Sequence, residues 1–248
     1  MRVAGIDIGS RYIKLVLLGG SNPMEFHRRE TGHEPLRVCT ELIQCTQPER
    51  LIATGYGRYL LEVHGSVQTM TEIKAVARGA REFFTSCRTI VDIGGQDTKV
   101  VSLNKNGCVV SFEMNDRCAA GTGKFLEIMA KALGYELDAM GSQCPDGDEK
   151  LRINSMCTVF AESEVIGLIA KGVQREAIAW ALHQSIVNRV VSLILRVGLN
   201  RDLVFAGGCA RNPCLKRMLE NRLQCSILVN DHPDMLSAYG AALYALDK

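Results

Sequence analysis

The stretch Ile6-Asp7-Ile8-Gly9-Ser10-Arg11-Tyr12-Ile13-Lys14-Leu15-Val16 has a counterpart later in the chain. It aligns without a gap on Val91-Asp92-Ile93-Gly94-Gly95-Gln96-Asp97-Thr98-Lys99-Val100-Val101. Both runs carry Asp, Gly and Lys at matching places, and each is an apolar segment that breaks at glycine and resumes, over 15–18 and 100–103. That pattern predicts a β-hairpin with a tight turn. Two such hairpins opening two half-chains predict an α/β fold of two duplicated lobes with a cleft between them.

The rest of the chain alternates as α/β units should. Residues 51–53 read as a strand and 72–84 as a helix. Over 121–133, Phe125, Ile128, Met129, Ala132 and Leu133 form a helical stripe that Gly134 stops. A second helix covers 158–171, ended by Gly172, and a long one covers 175–197 with Ile178, Leu182, Ile186, Val190, Leu193 and Val197 on one face. Strand 203–206 runs into Gly207-Gly208, Asn212-Pro213 begins another helix, and the last helix spans about 234–246. Residues 143–148 are the most loop-like. The expected division is 1–87 for lobe I, 88–233 for lobe II, and 234–248 as a C-terminal helix returning to lobe I.

At 248 residues with 47% apolar content, the chain can bury a large core in two lobes. Its 29 basic residues nearly balance 27 acidic ones, which gives no electrostatic case for nucleic-acid or polybasic membrane binding. The longest apolar run, 178–197, is interrupted by His183, Gln184, Asn188 and Arg189, and no leader precedes the first strand; a cytoplasmic protein is expected. Ten cysteines are many for such a protein, but no CxxC pair and no Cys/His spacing of a zinc site occurs. Cys39, Cys45, Cys87, Cys108, Cys144, Cys214 and Cys225 are read as small buried hydrophobes.

An Asp before Gly-Ser or Gly-Gly at a hairpin bend has a definite chemical use. The glycines let successive N–H groups approach a phosphate, the carboxylates hold hydrated magnesium, and Lys14 offers a point charge. A third element, Phe205-Ala206-Gly207-Gly208, ends a strand on bare backbone against which a flat base can lie. Either feature alone is also an ordinary turn; the three in this order are much harder to obtain by accident. The chain thereby resembles the actin, sugar-kinase and acetate-kinase superfamily of ATPases. Walker A and Rossmann glycine motifs are absent.

Two further segments carry cysteines ahead of helices: Asn115-Asp116-Arg117-Cys118-Ala119-Ala120-Gly121-Thr122-Gly123 and Asn154-Ser155-Met156-Cys157-Thr158-Val159-Phe160. A helix N-terminus stabilises a thiolate or bound anion. One chain offers two such sulfurs where a [4Fe–4S] cluster takes four, so a two-fold dimer sharing one cluster is the economical arrangement. From chemistry alone, two capping-region cysteines in a core remain an equal reading.

These segments, with Ala53-Thr54-Gly55-Tyr56-Gly57-Arg58, Asp92-Ile93-Gly94-Gly95-Gln96-Asp97, and Gly207-Gly208-Cys209-Ala210-Arg211-Asn212, resemble the 2-hydroxyacyl-CoA dehydratase activator family across essentially the whole chain. These are iron–sulfur ATPases related to the ATPase subunits of benzoyl-CoA reductase. The resemblance implies Cys118 and Cys157 as ligands of one [4Fe–4S] cluster shared by a homodimer. It implies ATP or ADP with Mg2+ in each cleft, an iron–sulfur dehydratase or reductase as electron acceptor, and a ferredoxin or flavodoxin as donor. By it, Gly9, Ser10 and Lys14 contact phosphate from the first loop, with Asp7 on the magnesium side. Asp92, Gly94, Gly95, Gln96 and Asp97 form the second loop, Gly121 and Gly123 bring the helix start near the nucleotide, and Gly207 and Gly208 flank the adenosine. Two positions depart from the family pattern: Cys209, read as packing, and Asp234 where glutamine is frequent. A small-molecule kinase of the same superfamily and a nucleotide-dependent sensor are the competing readings.

Overall fold

In β1 (Val3–Ile8) every residue is buried, so this strand is covered on both faces. Side chains alternate along a strand. Ala4, Ile6 and Ile8 accordingly pack with Cys39 and Leu42, whereas Val3 faces Ala238, Ala241 and Ala242. The computed structural model describes residues 1–19, 24–65, 67–144, 151–155 and 157–248; most of the stretch expected to be loop at 143–148 therefore lies outside the described residues.

The first sheet comprises β1, β2 (Tyr12–Leu18), β3 (Met24–Glu30), β4 (Arg50–Thr54) and β5 (Gln68–Thr69), in the order β3-β2-β1-β4-β5. Between them lie α1 (Pro35–Thr46) and α2 (Tyr59–Gly65), followed by α3 (Glu72–Phe83). The second sheet repeats the plan with β6 (Thr89–Ile93), β7 (Thr98–Leu103), β8 (Val109–Asn115), β9 (Leu203–Ala206) and β10 (Ile227–Val229), ordered β10-β9-β6-β7-β8. In both sheets three antiparallel strands form a meander, and the first of them pairs in parallel with a later strand. The duplication seen at the hairpins thus extends to whole sheets, and the fold is a two-lobed, actin-like α/β fold.

Helices α4 (Gly123–Ala132), α5 (Leu137–Ser142), α6 (Thr158–Ala170), α7 (Arg175–Val197) and α8 (Pro213–Leu223) belong to the second half, and α9 (Leu236–Leu246) closes the chain. α9 packs on β1 and β4 and against α3, with Gly79 and Gly240 where the two helix backbones meet. By length and composition α7 passes for a membrane span, yet 67% of its apolar window is buried inside the protein. It is a core helix, packed with α4 and α8 under the second sheet.

Candidate functional site

The hairpins set Asp7 opposite Lys14 and Asp92 opposite Lys99 in equivalent cross-strand registers. Lys14 Nζ lies 2.6 Å from Asp7 Oδ2. Lys99 Nζ instead reaches Asp97 Oδ2 at 2.7 Å and Glu72 Oε2, from the first turn of α3, at 2.6 Å. Burial works against the charge of Lys99, but Asp92, Asp97 and Glu72 outweigh it and hold its pKa above the ordinary value. Burial also pushes Asp92 up, against the pull of Lys99 and Lys14. Four carboxylates (Asp7, Glu72, Asp92, Asp97) face two ammonium groups (Lys14, Lys99). Fully ionised, the group is short of two positive charges, which is what a divalent cation supplies.

Both turns close in the same way: Gly9 N donates to Tyr12 O at 3.1 Å, and Gly94 N to Asp97 O at 2.9 Å. Their tips meet across the cleft, since a Cβ on Gly95 would stand 3.4 Å from Ser10 Oγ. Arg11 in the first turn reaches over to Glu127 of α4 at 2.8 Å. Gln96 is exposed at the tip of the second turn. The second turn is also tied to α4 by its backbone, through Gly123 N to Gly94 O at 2.9 Å and Lys124 N to Gly95 O at 2.8 Å. Two orphan donors of a helix N-terminus are thereby satisfied by the loop itself.

Gly55 and Gly207 are the corresponding exits of β4 and β9, at φ +95° and +82°. Both lie tight against an aspartate: a Cβ on Gly55 would come 2.5 Å from Asp7 Oδ1, and one on Gly207 would collide with Asp92 Oδ1 and Ile93 O. Gly208 has open space instead, and a 3₁₀ turn (Gly208–Arg211) intervenes before α8. Cys209 packs behind the start of α4, its Sγ 3.3 Å from where a Gly123 Cβ would be. Burial pushes its thiol up to about 12, which suits a packing residue. Asp234 is buried between Arg211 at 2.7 Å and Arg28 of β3 at 3.3 Å. Burial alone would raise its pKa; the Arg211 hydrogen bond brings it below the carboxylate range.

Cys118 and Cys157 are both exposed. Cys157 is the N-cap of α6. Cys118 does not start a helix: α4 begins at Gly123, two residues later than the stripe at 121–133 predicts. Gly121 takes φ +92° and Thr122 is extended, so neither can be helical. Asn115 Nδ2 donates to the carbonyls of Cys118 (2.9 Å) and Ala120 (3.1 Å) and fixes that turn. The Cys157 turn is held by Glu164, which accepts from Asn154 N, Ser155 N and, at 2.7 Å, Ser155 Oγ. Burial opposes the charge of Glu164, yet these bonds lower its pKa.

Arg189 of α7 lies between the two cysteine turns. Its Nη2 donates to Ser155 O at 3.3 Å, its Cδ lies under Gly121, and its charge feels Cys118. Its Nη1 is buried with no hydrogen-bond partner among the described residues. A half-buried guanidinium with one unpartnered nitrogen, next to the Cys118 turn and bonded into the Cys157 turn, fits an anionic group held by those thiols. The only trace of Arg189 in the sequence is a charge interrupting an apolar helix. Glu72 leaves even less, since an acid in a helix's first turn is ordinary.

The reading of seven cysteines as buried hydrophobes holds for Cys39 and Cys87, which are buried and pushed up to about 12. Cys45 and Cys108 are exposed and Cys225 is half-buried, because α1 and the β7–β8 turn present them outward. Cys144 and Cys214 are buried together with His183.

Residues 44–245 match the profile of the BadF/BadG/BcrA/BcrD ATPase family. The chain is 38% identical to the 2-hydroxyisocaproyl-CoA dehydratase activator of Clostridioides difficile, over 100% of this chain and 96% of that protein. The solved structure of component A of the Acidaminococcus fermentans (R)-2-hydroxyglutaryl-CoA dehydratase superposes with a TM-score of 0.89 at 35% identity, covering 100% of this chain and 98% of the other. The Clostridium difficile 2-hydroxyisocaproyl-CoA dehydratase activator with bound ADPNP gives 0.88 at 39%, covering 100% and 95%. With two matching Asp-Gly hairpins, a glycine exit beside each aspartate, and similarity over its full length, this chain belongs to the BadF/BadG/BcrA/BcrD ATPase family.

Proposed function

We propose that this protein is an ATP-hydrolysing activator that passes a low-potential electron to an iron–sulfur partner of the 2-hydroxyacyl-CoA dehydratase or benzoyl-CoA reductase type. It works in the cytoplasm as a homodimer, with a ferredoxin or flavodoxin as donor. Cys118 and Cys157 of each subunit would hold one shared [4Fe–4S] cluster. When bound, that cluster supplies a one-electron carrier of low potential. The thiols meet its requirements in exposure and in the adjoining Arg189 charge. Exposed apolar side chains of α6, Val159 (66% exposed) and Phe160 (68%) in the turn next to Cys157 and Ile166 (58%) further along, support a protein-covered face there.

The observation that carries this reading is the backbone link between nucleotide loop and cysteine turn. Gly94 and Gly95 hold the first N–H groups of α4, and the Cys118 turn enters that same helix. Asp7, Asp92 and Asp97 would orient magnesium and water at the phosphates, with Gly9, Ser10, Lys14 and Gln96 contacting the phosphate chain and Gly207 and Gly208 the adenosine. Any change in the second loop as phosphate leaves must move Gly94 and Gly95 and hence α4, which alters how Cys118 is presented. Arg11–Glu127 and Arg28–Asp234–Arg211 tie the hairpin half to the later half and carry the same movement.

The test is twofold. Calorimetry on the Asp7→Ala/Asp97→Ala protein should show weakened MgADP binding; undiminished affinity would overturn the cleft assignment. Reduced protein mixed anaerobically with a dehydratase component should reoxidise with MgATP and stay reduced with ADPNP. Equal reoxidation without ATP would leave a simple redox protein.

A further inference from the structure

Outside the cleft, the strongest concentration of donor atoms lies where α5, α7 and α8 meet. Cys144 follows the end of α5, His183 lies in the middle of α7, and Cys214 is in the first turn of α8. One ligand atom from each falls within 4.8 Å of the others, and all three residues are buried. We infer that Cys144, His183 and Cys214 form a binding site for a single zinc-type divalent ion, separate from the exposed Cys118/Cys157 pair.

The geometry is close to what such an ion needs. Tetrahedral zinc with bonds of about 2.3 Å to sulfur and about 2.0–2.1 Å to nitrogen sets its ligand atoms about 3.5–3.8 Å apart. Atoms already within 4.8 Å of one another need a contraction of about 1 Å to reach that spacing. The donor set is of the soft Cys₂His kind that favours zinc.

His183 is oriented as a metal ligand usually is. Asn212 uses its Oδ1 to cap Leu215 N at 3.0 Å, so its Nδ2 is the donor facing His183 Nε2 at 2.9 Å. His183 Nδ1 then carries the proton and donates to Ala179 O at 2.7 Å. A histidine whose Nδ1–H is anchored on a backbone carbonyl presents Nε2 as its basic nitrogen, the arrangement found behind metal-bound imidazoles. Ligation exchanges the Asn212 hydrogen bond for a coordinate bond.

The charge environment agrees. Arg217, one turn beyond Cys214, donates to the carbonyl of Cys144 at 2.8 Å. A hydrogen bond from Cys214, with the nearby Arg217 guanidinium, holds the Cys144 thiol below its ordinary pKa against the effect of burial. The similarly enclosed Cys39, Cys87 and Cys209 go up to about 12. Two thiolates and one divalent ion are neutral together, which removes the cost of a buried anion. The ion would staple the corner that Asn212 and Gly141 share beside the Gly207-Gly208 turn.

The experiment uses the full-length Cys118→Ser/Cys157→Ser protein, so that exposed thiols do not compete. Zinc retained after desalting is measured by elemental analysis. Cobalt(II) loaded anaerobically is read by its tetrahedral d–d and thiolate charge-transfer absorption. About one ion per chain is expected, with retention falling at least tenfold when Cys214→Ser or His183→Ala is added. A folded parent that takes up no zinc and gives no thiolate–cobalt band overturns the inference. So does a Cys214→Ser protein that binds as the parent does. Should Cys214→Ser or His183→Ala fail to fold, the loading of the unsubstituted trio still decides the matter.

Discussion

Replacing Gly207 by alanine should damage the protein in a way that replacing its neighbour Gly208 does not. Gly207 leaves β9 at φ +82°, where an L-residue is strained by about 1–2 kcal/mol. Its Cβ would also collide with the backbone oxygen of Ile93 and with Asp92 Oδ1, and forcing an extra carbon into a packed interior adds about 1–3 kcal/mol. The sum, about 2–5 kcal/mol, corresponds to a fall in melting temperature of about 4–20 °C for a chain of this size. The displaced Asp92 should take magnesium-dependent nucleotide affinity with it. At Gly208 a Cβ meets nothing within 4 Å, so Gly208→Ala should melt within a degree or two of the parent yet bind ADP more weakly if adenosine lies against that backbone. Thermal unfolding and calorimetry on both variants provide the assay. A Gly207→Ala protein with the parent's melting point and affinity would refute the packing argument, and full affinity in Gly208→Ala would refute the adenosine assignment.

Timed alkylation of the cluster-free protein at pH 8 should label the exposed Cys45, Cys108, Cys118 and Cys157 well before Cys209. Cys209, pushed up to about 12 and buried, holds about one thiolate in ten thousand there; equally rapid labelling of Cys209 would remove it from the packing role. Glu164→Gln should cost about 1–2 kcal/mol through weakened bonds to the Cys157 turn. Because the folded pKa of Glu164 is depressed, its contribution is present above the ordinary glutamate pKa of about 4.3 and is lost as pH falls through the lower folded value; denaturant midpoints for both proteins should therefore converge at acid pH, and a constant gap would contradict this. Arg189→Gln should make the cluster harder to reduce, shifting its potential negative by on the order of tens of millivolts in a redox titration, since a half-buried cation next to the Cys118 turn is lost. An unchanged potential would mean that Arg189 serves only the turns.

Local chemistry made much of this fold legible. α7 (Arg175–Val197), β9 (Leu203–Ala206) and the start of α8 follow directly from a long apolar period, an apolar run into glycines, and an Asn-Pro cap. The hairpins followed from their own repetition. β3 and β8 were missed because, as the third strands of their meanders, they are the least buried and carry polar or mixed residues such as His27, Arg28, Ser111 and Glu113. α1, behind Pro35, has a face whose buried part is only Cys39, Leu42 and Thr46. The α4 boundary slipped because an apolar stripe says nothing of the positive φ that Gly121 needs to turn the chain. Within the site, the motifs gave the aspartates, glycines and Lys14. They could not give Glu72, which meets Lys99 only through the packing of α3, nor Arg189, whose role depends on two turns distant in sequence. The Cys144–His183–Cys214 trio was invisible for the same reason, as three helices unite residues that no spacing rule connects.

The central claim, that two exposed thiols per chain hold a shared cluster coupled to the nucleotide loop, is tested most directly by iron and sulfide content per dimer. The measurement is made on anaerobically prepared parent, Cys118→Ala, Cys157→Ala and Cys209→Ala proteins, with electron paramagnetic resonance of the reduced samples. About four irons per dimer and a reduced-cluster signal are expected in the parent and in Cys209→Ala, and neither in Cys118→Ala or Cys157→Ala. Full cluster in the Cys118→Ala protein, or its loss in Cys209→Ala, would contradict it.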